Sequence, residues 1–297
     1  MTSTPESSPL PLTVVMITLN EAHNMEAVCE NLRGFARDIV VLDSFSKDDT
    51  VGIALRYGAR VYQRKFTNFG DQWNTAILKL PISTPWVMKL DPDERLTPEL
   101  KDALREAVMA NRCDGIEITR QLWFMGQPLP VRHWLIRLWK HGKCRFSDVI
   151  VNEHPIVDGS VERVRGILVH QDSPDLDHWY EKQNHYSTGE AVAASRKLGF
   201  AFNPRPFGNA MERRMWLKKN FRRLPFRFQL LFLYNLIALG AWRAGRVGFI
   251  WCRLRSDWMR QIEYKLFEIR ITGRLPVVRP SGSGQPDPRA TQVPQSA

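Results

Sequence analysis

Acidic and polar side chains follow three short apolar stretches near the start of this 297-residue chain. The third group, Asp91-Pro92-Asp93-Glu94, carries two carboxylates one residue apart and comes directly after the apolar stretch 86–90. Two such carboxylates can both reach one hard divalent cation, and Mg²⁺ or Mn²⁺ bound in this way also binds substrate phosphates. The spacing alone favours a solvated turn, whereas the position after an apolar strand favours a cation site.

The two earlier groups support the cation-site interpretation, because they stand at equivalent places in the chain. Thr18-Leu19-Asn20-Glu21 follows the apolar stretch 14–17, and Asp43-Ser44-Phe45-Ser46-Lys47-Asp48 follows the stretch 39–42. No Gly-x-Gly-x-x-Gly follows the first stretch, and the chain has no Gly-Lys-Ser/Thr phosphate loop. A dinucleotide fold of the usual kind and a P-loop NTPase are therefore both disfavoured.

The elements that must position these groups alternate regularly between strands and helices. The apolar pattern predicts strands at 14–17, 39–42, 60–62 and 86–90 and a further strand from Ile116, with helices at 21–34, 46–57, 69–80 and 97–110. Such alternation predicts an α/β fold with a mostly parallel sheet covered by helices. Ligands of such sheets bind beyond the carboxyl ends of the strands, so the three polar groups should meet in one crevice.

Composition divides the chain into four parts. We expect an unstructured lead at 1–11, a catalytic domain at 12–205, a basic helical segment at 206–275 and an unstructured tail at 276–297 that is rich in Pro, Ser, Gly and Gln. The catalytic domain divides into a nucleotide-binding half, 12–120, and an acceptor-side half, 121–205. The four cysteines form no Cys-x-x-Cys pair, so neither a disulfide framework nor a zinc site is indicated.

The basic segment accounts for the net charge of +11, because it has 16 Lys or Arg against four Asp or Glu between Arg205 and Arg274. Its longest apolar stretch, 228–242, is shorter than the about 20 residues that span a bilayer. Arg and Trp around short apolar stretches are typical of amphipathic helices that lie among lipid headgroups. We therefore predict a peripheral protein on an anionic membrane surface; helices that simply pack on the catalytic domain or form a dimer are the alternative.

Four motifs in order give the chain a resemblance to a known family. These are Thr18 to Glu21, Val40 to Thr50, Phe69-Gly70-Asp71-Gln72-Trp73-Asn74, and Trp86 to Glu94. Together they resemble family 2 glycosyltransferases of the GT-A (nucleotide-diphospho-sugar transferase) fold. The closest resemblance, over about residues 12–270, is to the subgroup typified by lipopolysaccharide-core glucosyltransferases.

The resemblance implies a role for each matching residue. Asp43 would accept a hydrogen bond from the nucleotide base, which suits a carboxylate because it only accepts when ionised. Asp91 and Asp93 would bind Mg²⁺ or Mn²⁺ and the diphosphate, and His170 would complete the coordination of the metal or hold the acceptor. The remaining matches would line the donor site: Thr18, Asn20, Glu21, Ser44 and Asn74.

An inverting, single-displacement reaction is also implied, and it needs a general base for the acceptor hydroxyl. Val151-Asn152-Glu153-His154 resembles a Val-His-Glu element of the subgroup, so Glu153 is the candidate base. Asn152 departs from that element, and His154 is a second candidate. On the later helix, the face formed by His178, Lys182 and His185 is expected to be solvated.

The sequence thus predicts a hexosyltransferase that uses a nucleotide sugar, with uracil implied as the base and guanine or thymine left open. The implied acceptor is a cell-envelope glycan or glycolipid, such as lipopolysaccharide core or exopolysaccharide, at the cytoplasmic face of the inner membrane. Transfer onto polyprenyl phosphate is an alternative. A basic nucleic-acid-binding protein, suggested by the pI of about 9.7, is a second alternative. No nucleic-acid partner is expected, because the acidic strand ends would repel phosphate without a metal; the oligomeric state stays open.

Overall fold

A mixed β-sheet dominates the computed structural model, which describes residues 8–147, 154–196, 202–276 and 284–294. Nine strands of the described residues form this sheet in the order β11-β3-β2-β1-β4-β7-β6-β10-β5. Their bounds are β1 Leu10–Thr18, β2 Ala36–Asp43, β3 Arg60–Gln63, β4 Trp86–Lys89, β5 Glu94–Leu96, β6 Gly115–Phe124, β7 Gln127–Lys140, β10 Val161–Gln171 and β11 Thr291–Gln292. A separate antiparallel pair joins β8, Cys144–Phe146, to β9, Pro155–Val157.

Strands β3, β2, β1 and β4 run parallel to one another and form the first half of the sheet. Strand β7 is antiparallel to both β4 and β6, and β10 is parallel to β6. Val14, Val15 and Met16 of β1 are fully buried, as expected of a strand covered by helices on both faces. The predicted α/β class with a mostly parallel sheet is confirmed.

Five helices cover the sheet: α1 Ala22–Leu32, α2 Thr50–Arg56, α3 Phe69–Leu78, α4 Pro98–Ala110 and α5 Leu176–Ser195. Their starts follow local capping chemistry, since the Thr97 hydroxyl accepts from the Leu100 N–H at α4 and the Asp175 carboxylate accepts from the His178 N–H at α5. Helix α2 begins at Thr50 rather than at the predicted residue 46. The reason is that two side chains form hydrogen bonds in the loop before the helix: Ser46 Oγ accepts from the Asn20 N–H at 2.8 Å, and Asp48 Oδ1 accepts from the Thr50 N–H at 3.1 Å.

The basic segment is helical, as predicted, and consists of α6 Ala210–Asn220, α7 Arg227–Leu233 and the long α8 Gly245–Thr272, with short helical turns between them. Helix α8 packs along α5, where Ile262, Leu266 and Ile269 form an apolar cluster with residues of α5. The Trp258 indole N–H also donates to the Gln183 carbonyl of α5 at 3.2 Å. Among the described residues, no helix is both long and apolar enough to cross a membrane.

Residues 284–294 lie against the sheet, although the composition predicts an unstructured tail there. Strand β11 pairs in parallel with β3, with Thr291 opposite Tyr62 and Gln292 opposite Gln63. Ala290 is 8% exposed and belongs to the main core cluster. Composition gives no sign of this pairing, because it depends on backbone hydrogen bonds to a strand more than 200 residues earlier, such as the one from the Val293 N–H to the Gln63 carbonyl at 2.8 Å.

Candidate active site

The loops that follow β1 and β2 are joined by hydrogen bonds around the buried carboxylate of Asp43. Asp43 Oδ1 accepts from the hydroxyls of Thr18, at 2.9 Å, and of Ser46, while Oδ2 accepts from the Ser46 N–H at 2.9 Å and from Gln63 Nε2 at 2.8 Å. Four donors fill the acceptor positions of a carboxylate. A nucleotide base that donates to Asp43 must therefore share or displace one of these four donors.

Ser44 and Asn20 also belong to this group of hydrogen-bonded residues. With Thr18, three of the predicted donor-site residues therefore lie beside Asp43. The Ser44 N–H donates to the Thr18 carbonyl at 2.9 Å, and the Ser44 hydroxyl accepts from Gln72 Nε2 at 3.1 Å. Asn20 adopts a positive φ of 57°, and its side chain accepts from the Lys47 N–H at 2.8 Å. We did not predict Gln72, although it lies within the motif that includes Asn74.

The turn after β4 separates the two carboxylates of the Asp91-Pro92-Asp93 motif. Asp91 Oδ2 accepts from Arg137 at 3.0 Å, and the same guanidinium pairs with the fully buried Glu94. Arg137 lies on β7, and its side chain is 5% exposed. In this structure Asp91 therefore belongs to an ion-pair network under the turn, and its implied role as a metal ligand stays a prediction.

Asp93 has different partners and joins a cluster with His170 and Asp172. One potential ligand atom from each residue lies within 4.8 Å of the others, and His170 Nε2 is 3.2 Å from Asp93 Oδ2. The cluster forms because β10 ends beside the turn: the Gln171 N–H donates to the Asp93 carbonyl at 2.9 Å. Asp172 was not among the predicted site residues, because its place depends on this pairing.

Lys182 of α5 also reaches the cluster, which corrects the expectation that its helix face is solvated. Its ammonium donates to Asp93 Oδ2 at 3.1 Å and to the Asp172 carbonyl at 2.9 Å, and it is 3.1 Å from Asp172 Oδ1. Burial alone would lower the pKa of Lys182, but the two carboxylates outweigh it and raise that pKa well above its usual value. Of the other two residues on that face, His185 is exposed and His178 packs against His23.

The charges of the cluster also act on Asp93 and Glu21. Burial opposes the ionisation of Asp93, yet His170 and Lys182 outweigh it and hold the pKa of Asp93 far below its usual range. For Glu21 the balance is the opposite: burial, and next the negative charge of Asp93, raise its pKa to about 7, because they outweigh the hydrogen bond from Asn24 and the positive charge of Lys182. Tyr186, one turn beyond Lys182, stacks on Phe69 and lines the same side of the site.

The side chain of Asn74 bonds to the backbone of β8. Its side-chain amide forms a reciprocal pair with the backbone of Phe146, donating to the carbonyl at 3.0 Å and accepting from the N–H at 2.8 Å. Both ends of the amide are thus engaged by β8. Contact between Asn74 and the donor stays a prediction, and the observed contact anchors the strand that precedes residues 148–153.

The predicted general base, Glu153, lies outside the described residues. The residues on either side of that segment are joined to each other, because the Ser147 N–H donates to the His154 carbonyl at 3.1 Å and the His154 N–H donates to the Ser147 hydroxyl at 3.0 Å. The His154 ring packs beside Phe202 at 5.7 Å between centroids. This contact does not test the role of either candidate base.

The residues of the cluster fit a divalent cation. Asp93 Oδ1 is buried without a hydrogen-bond partner, so one carboxylate oxygen is left to bind a ligand. Two carboxylates and one imidazole provide the hard oxygen and borderline nitrogen donors that suit Mg²⁺ and Mn²⁺. The structure thus brings two of the predicted metal ligands, Asp93 and His170, together with Asp172 in a group that could hold a cation.

A helix-covered, mostly parallel sheet binds its ligands beyond the carboxyl ends of its strands, which is where these polar loops and the acidic cluster lie. Residues 13–161, half of the chain, match the family model described as glycosyl transferase family 2. The chain belongs to this family and is a glycosyltransferase, as the sequence motifs predicted.

Relatives of this chain include characterised and uncharacterised glycosyltransferases. The chain is 29% identical over 253 residues to the lipopolysaccharide core biosynthesis glycosyltransferase LpsC of Rhizobium meliloti. The matched region covers 81% of this chain and 86% of LpsC. It is 23% identical to the uncharacterised glycosyltransferase RP128 of Rickettsia prowazekii, over 63% of this chain and 70% of the relative. Among solved structures, S. aureus TarS 1-349 in complex with UDP matches with a TM-score of 0.42 and 17% identity, over 93% of this chain and 98% of that chain.

Proposed function

We propose that this protein is an inverting, divalent-cation-dependent glycosyltransferase that moves a hexose from a UDP-sugar to a cell-envelope glycan or glycolipid, such as lipopolysaccharide core or exopolysaccharide. The observation that carries this proposal is the cluster of Asp93, His170 and Asp172 at the strand ends. The hydrogen-bonded loops around Asp43 stand at the carboxyl ends of β1 and β2 in the same sheet. The relative LpsC, whose name refers to lipopolysaccharide core, supports this class of acceptor.

The donor would lie across the strand ends, with its nucleoside at Asp43 and its diphosphate at Asp93. Asp93, His170 and Asp172 would hold a divalent cation, and the Lys182 ammonium adds a positive charge on the same side. When bound, the cation acts as a Lewis acid that stabilises the negative charge of the departing nucleoside diphosphate. Uridine as the nucleoside follows from the resemblance of the segment Thr18 to Glu21 and of Asp43 to the family motif.

In the reaction, the acceptor oxygen bonds to the anomeric carbon as the bond from that carbon to the diphosphate oxygen breaks. The acceptor hydroxyl gives its proton to a carboxylate, for which Glu153 is our candidate. Replacing Glu153 with Gln should abolish turnover while UDP binding persists, because the amide cannot take the proton but keeps the size of the side chain. Near-normal turnover of this variant would remove Glu153 from the role.

We also place the enzyme at the cytoplasmic face of the inner membrane, as a peripheral protein. The support is an apolar patch on and around α7, formed by Phe226, Leu230, Leu233, Ile237 and Trp242, which are all exposed. Leu230 and Leu233 share one face of α7 by helical spacing, while Phe226 directly precedes this helix and Ile237 lies in the helical turn after it. An exposed apolar face of this kind is typical of a binding surface.

Arginine side chains surround the apolar patch, and this charge favours an anionic lipid surface as the partner. Arg222, Arg223, Arg243 and Arg246 are exposed close to the patch in sequence. Each basic residue near an anionic membrane contributes about 1 kcal/mol of attraction. Apolar side chains that enter the headgroup layer, together with this charge, provide the two signals needed for stable but reversible binding.

The donor assignment is tested by thermal-shift measurements with UDP, GDP and TDP, each with and without Mn²⁺. We expect UDP with Mn²⁺ to stabilise the protein most, because a ligand that binds only the folded state raises the melting temperature. If no nucleoside diphosphate stabilises the protein in the presence of Mn²⁺, the proposed function is wrong. Selective stabilisation by GDP or TDP would keep the reaction class and replace the uridine assignment.

The membrane assignment is tested by flotation with vesicles that contain anionic phosphatidylglycerol. The variant Ile237→Glu should lose flotation at low salt, because it places a charge in the middle of the apolar patch. Met109→Glu is the matched control: Met109 is also exposed, at 70%, but lies on α4 away from the patch. Equal flotation of Ile237→Glu and of the wild type, or no flotation of the wild type, would contradict this assignment.

A further inference from the structure

Residues 284–294 contact the same loop that surrounds Asp43. The Gly284 N–H donates to the Phe45 carbonyl at 3.1 Å. A Cβ atom at position 284 would lie 2.4 Å from the Ser46 carbonyl oxygen and 2.6 Å from that of Phe45, so only glycine fits without a shift of the backbone. The C-terminal segment is therefore closely packed against the loop after β2.

Gln63, at the end of β3, connects this segment to Asp43. Its Oε1 accepts from the Asp287 N–H at 2.8 Å and from Gln292 Nε2 at 3.1 Å, while its Nε2 donates to Asp43 Oδ2 at 2.8 Å. A backbone N–H can only donate and an ionised carboxylate can only accept. These partners fix the orientation of the Gln63 amide, and Gln63 is 1% exposed, so water does not compete for these bonds.

A cavity of about 410 Å³ lies between the C-terminal segment and the loop. Half of its lining comes from residues 284–288, and the remainder includes Ser46, Lys47, Asp48 and Gln63. Its volume falls in the range of small-molecule sites, about 300 to 1,000 Å³. The cavity stands at the carboxyl ends of β2 and β3, beside the loop that follows Asp43.

We propose that residues 284–294 form a wall of the subsite for the nucleoside moiety of the donor and that Gln63 is a positioning residue for Asp43. The C-terminal segment holds the Gln63 amide, and Gln63 in turn holds the Asp43 carboxylate in the orientation that receives the base. This inference rests on the proposed function, because it takes Asp43 to be the nucleoside end of the donor site.

The test compares UDP with inorganic pyrophosphate, which has the diphosphate but no nucleoside, by calorimetry with the full chain and saturating Mn²⁺. Gly284→Val displaces the segment sterically, and we expect its UDP affinity to fall about tenfold or more while its pyrophosphate affinity stays unchanged. Gln292→Ala removes one of two donors to Gln63 and should weaken UDP binding about two- to fivefold. Met109→Ala, at an exposed position of α4 outside the segment, is the control and should bind UDP like the wild type.

Each result decides the inference. Unchanged or tighter UDP binding by Gly284→Val overturns it, and an equal loss of UDP and pyrophosphate binding also overturns it by showing general damage. If Gly284→Val does not fold, Gln292→Ala decides alone, and unchanged UDP affinity in that variant refutes the proposal. Failure of the wild type to bind UDP is a separate outcome that contradicts the proposed function itself.

Discussion

Lys182 competes with a divalent cation for the same carboxylates, and this leads to a prediction about the affinity for Mn²⁺. Its ammonium is 3.1 Å from one oxygen of Asp93 and 3.1 Å from one oxygen of Asp172. At an effective dielectric constant of about 20, each such pair interacts by roughly 5 kcal/mol. When Mn²⁺ displaces the ammonium, most of this energy is regained because the ammonium then contacts water or the donor diphosphate. We therefore expect Lys182 to weaken the binding of Mn²⁺ by about 1.4 to 2.8 kcal/mol.

Replacing Lys182 with Met should therefore raise the affinity for Mn²⁺, without nucleotide, about ten- to a hundredfold. The assay is electron paramagnetic resonance of free Mn²⁺ during titration of the protein. Lys265→Met is the matched control, because Lys265 also contacts α5 but does so through Asn184 and Ser187, away from the cluster. Unchanged or weaker Mn²⁺ binding by Lys182→Met would refute the competition.

Three further predictions concern Arg137, Glu21 and Asn74. Arg137→Met should lower the free energy of unfolding in urea by about 3 kcal/mol, because it removes the closer of two ion pairs of the buried Glu94 and leaves Arg120 at 3.7 Å; a loss below about 1 kcal/mol would contradict the pairing. The pKa of Glu21 is raised to about 7, so below that pH the binding of a nearby cation must displace the proton of Glu21. Mn²⁺ affinity measured by calorimetry should therefore increase as pH rises through about 7, and it should increase less steeply in Glu21→Gln. Equal slopes in the two proteins would contradict this prediction. Asn74→Ala should lower kcat more than it lowers UDP affinity, because the lost hydrogen bonds hold the strand before residues 148–153 and do not hold the loops around Asp43. A loss of UDP affinity alone would instead support a contact between Asn74 and the donor.

The predictable part of the site consists of residues that directly follow strands. Thr18, Asp43 and Asp93 could be placed from the sequence, because apolar runs mark the strands and the ends of parallel strands meet at one edge of the sheet. The helices α3 and α4 could also be placed, since Asn68 and Thr97 cap them through local hydrogen bonds.

The parts that sequence reasoning missed depend on contacts between distant segments. Strand β5 has three residues and exists because it pairs with β10, more than 70 residues later. Asp172 and Lys182 enter the cluster only through that pairing and through the packing of α5. Helical periodicity placed Lys182 on one face with His178 but could not show what that face contacts. The segment 284–294 was missed for the same reason, because its backbone pairs with β3 and its composition is that of a linker.

The central claim is that Asp93 and its neighbours hold a cation to which the diphosphate of the donor binds. It is tested most directly by calorimetry of UDP with and without Mn²⁺, for the wild type and for Asp93→Asn. We predict that Mn²⁺ strengthens UDP binding to the wild type at least about tenfold and has little effect on UDP binding to Asp93→Asn. Equal strengthening by Mn²⁺ in both proteins would contradict the account.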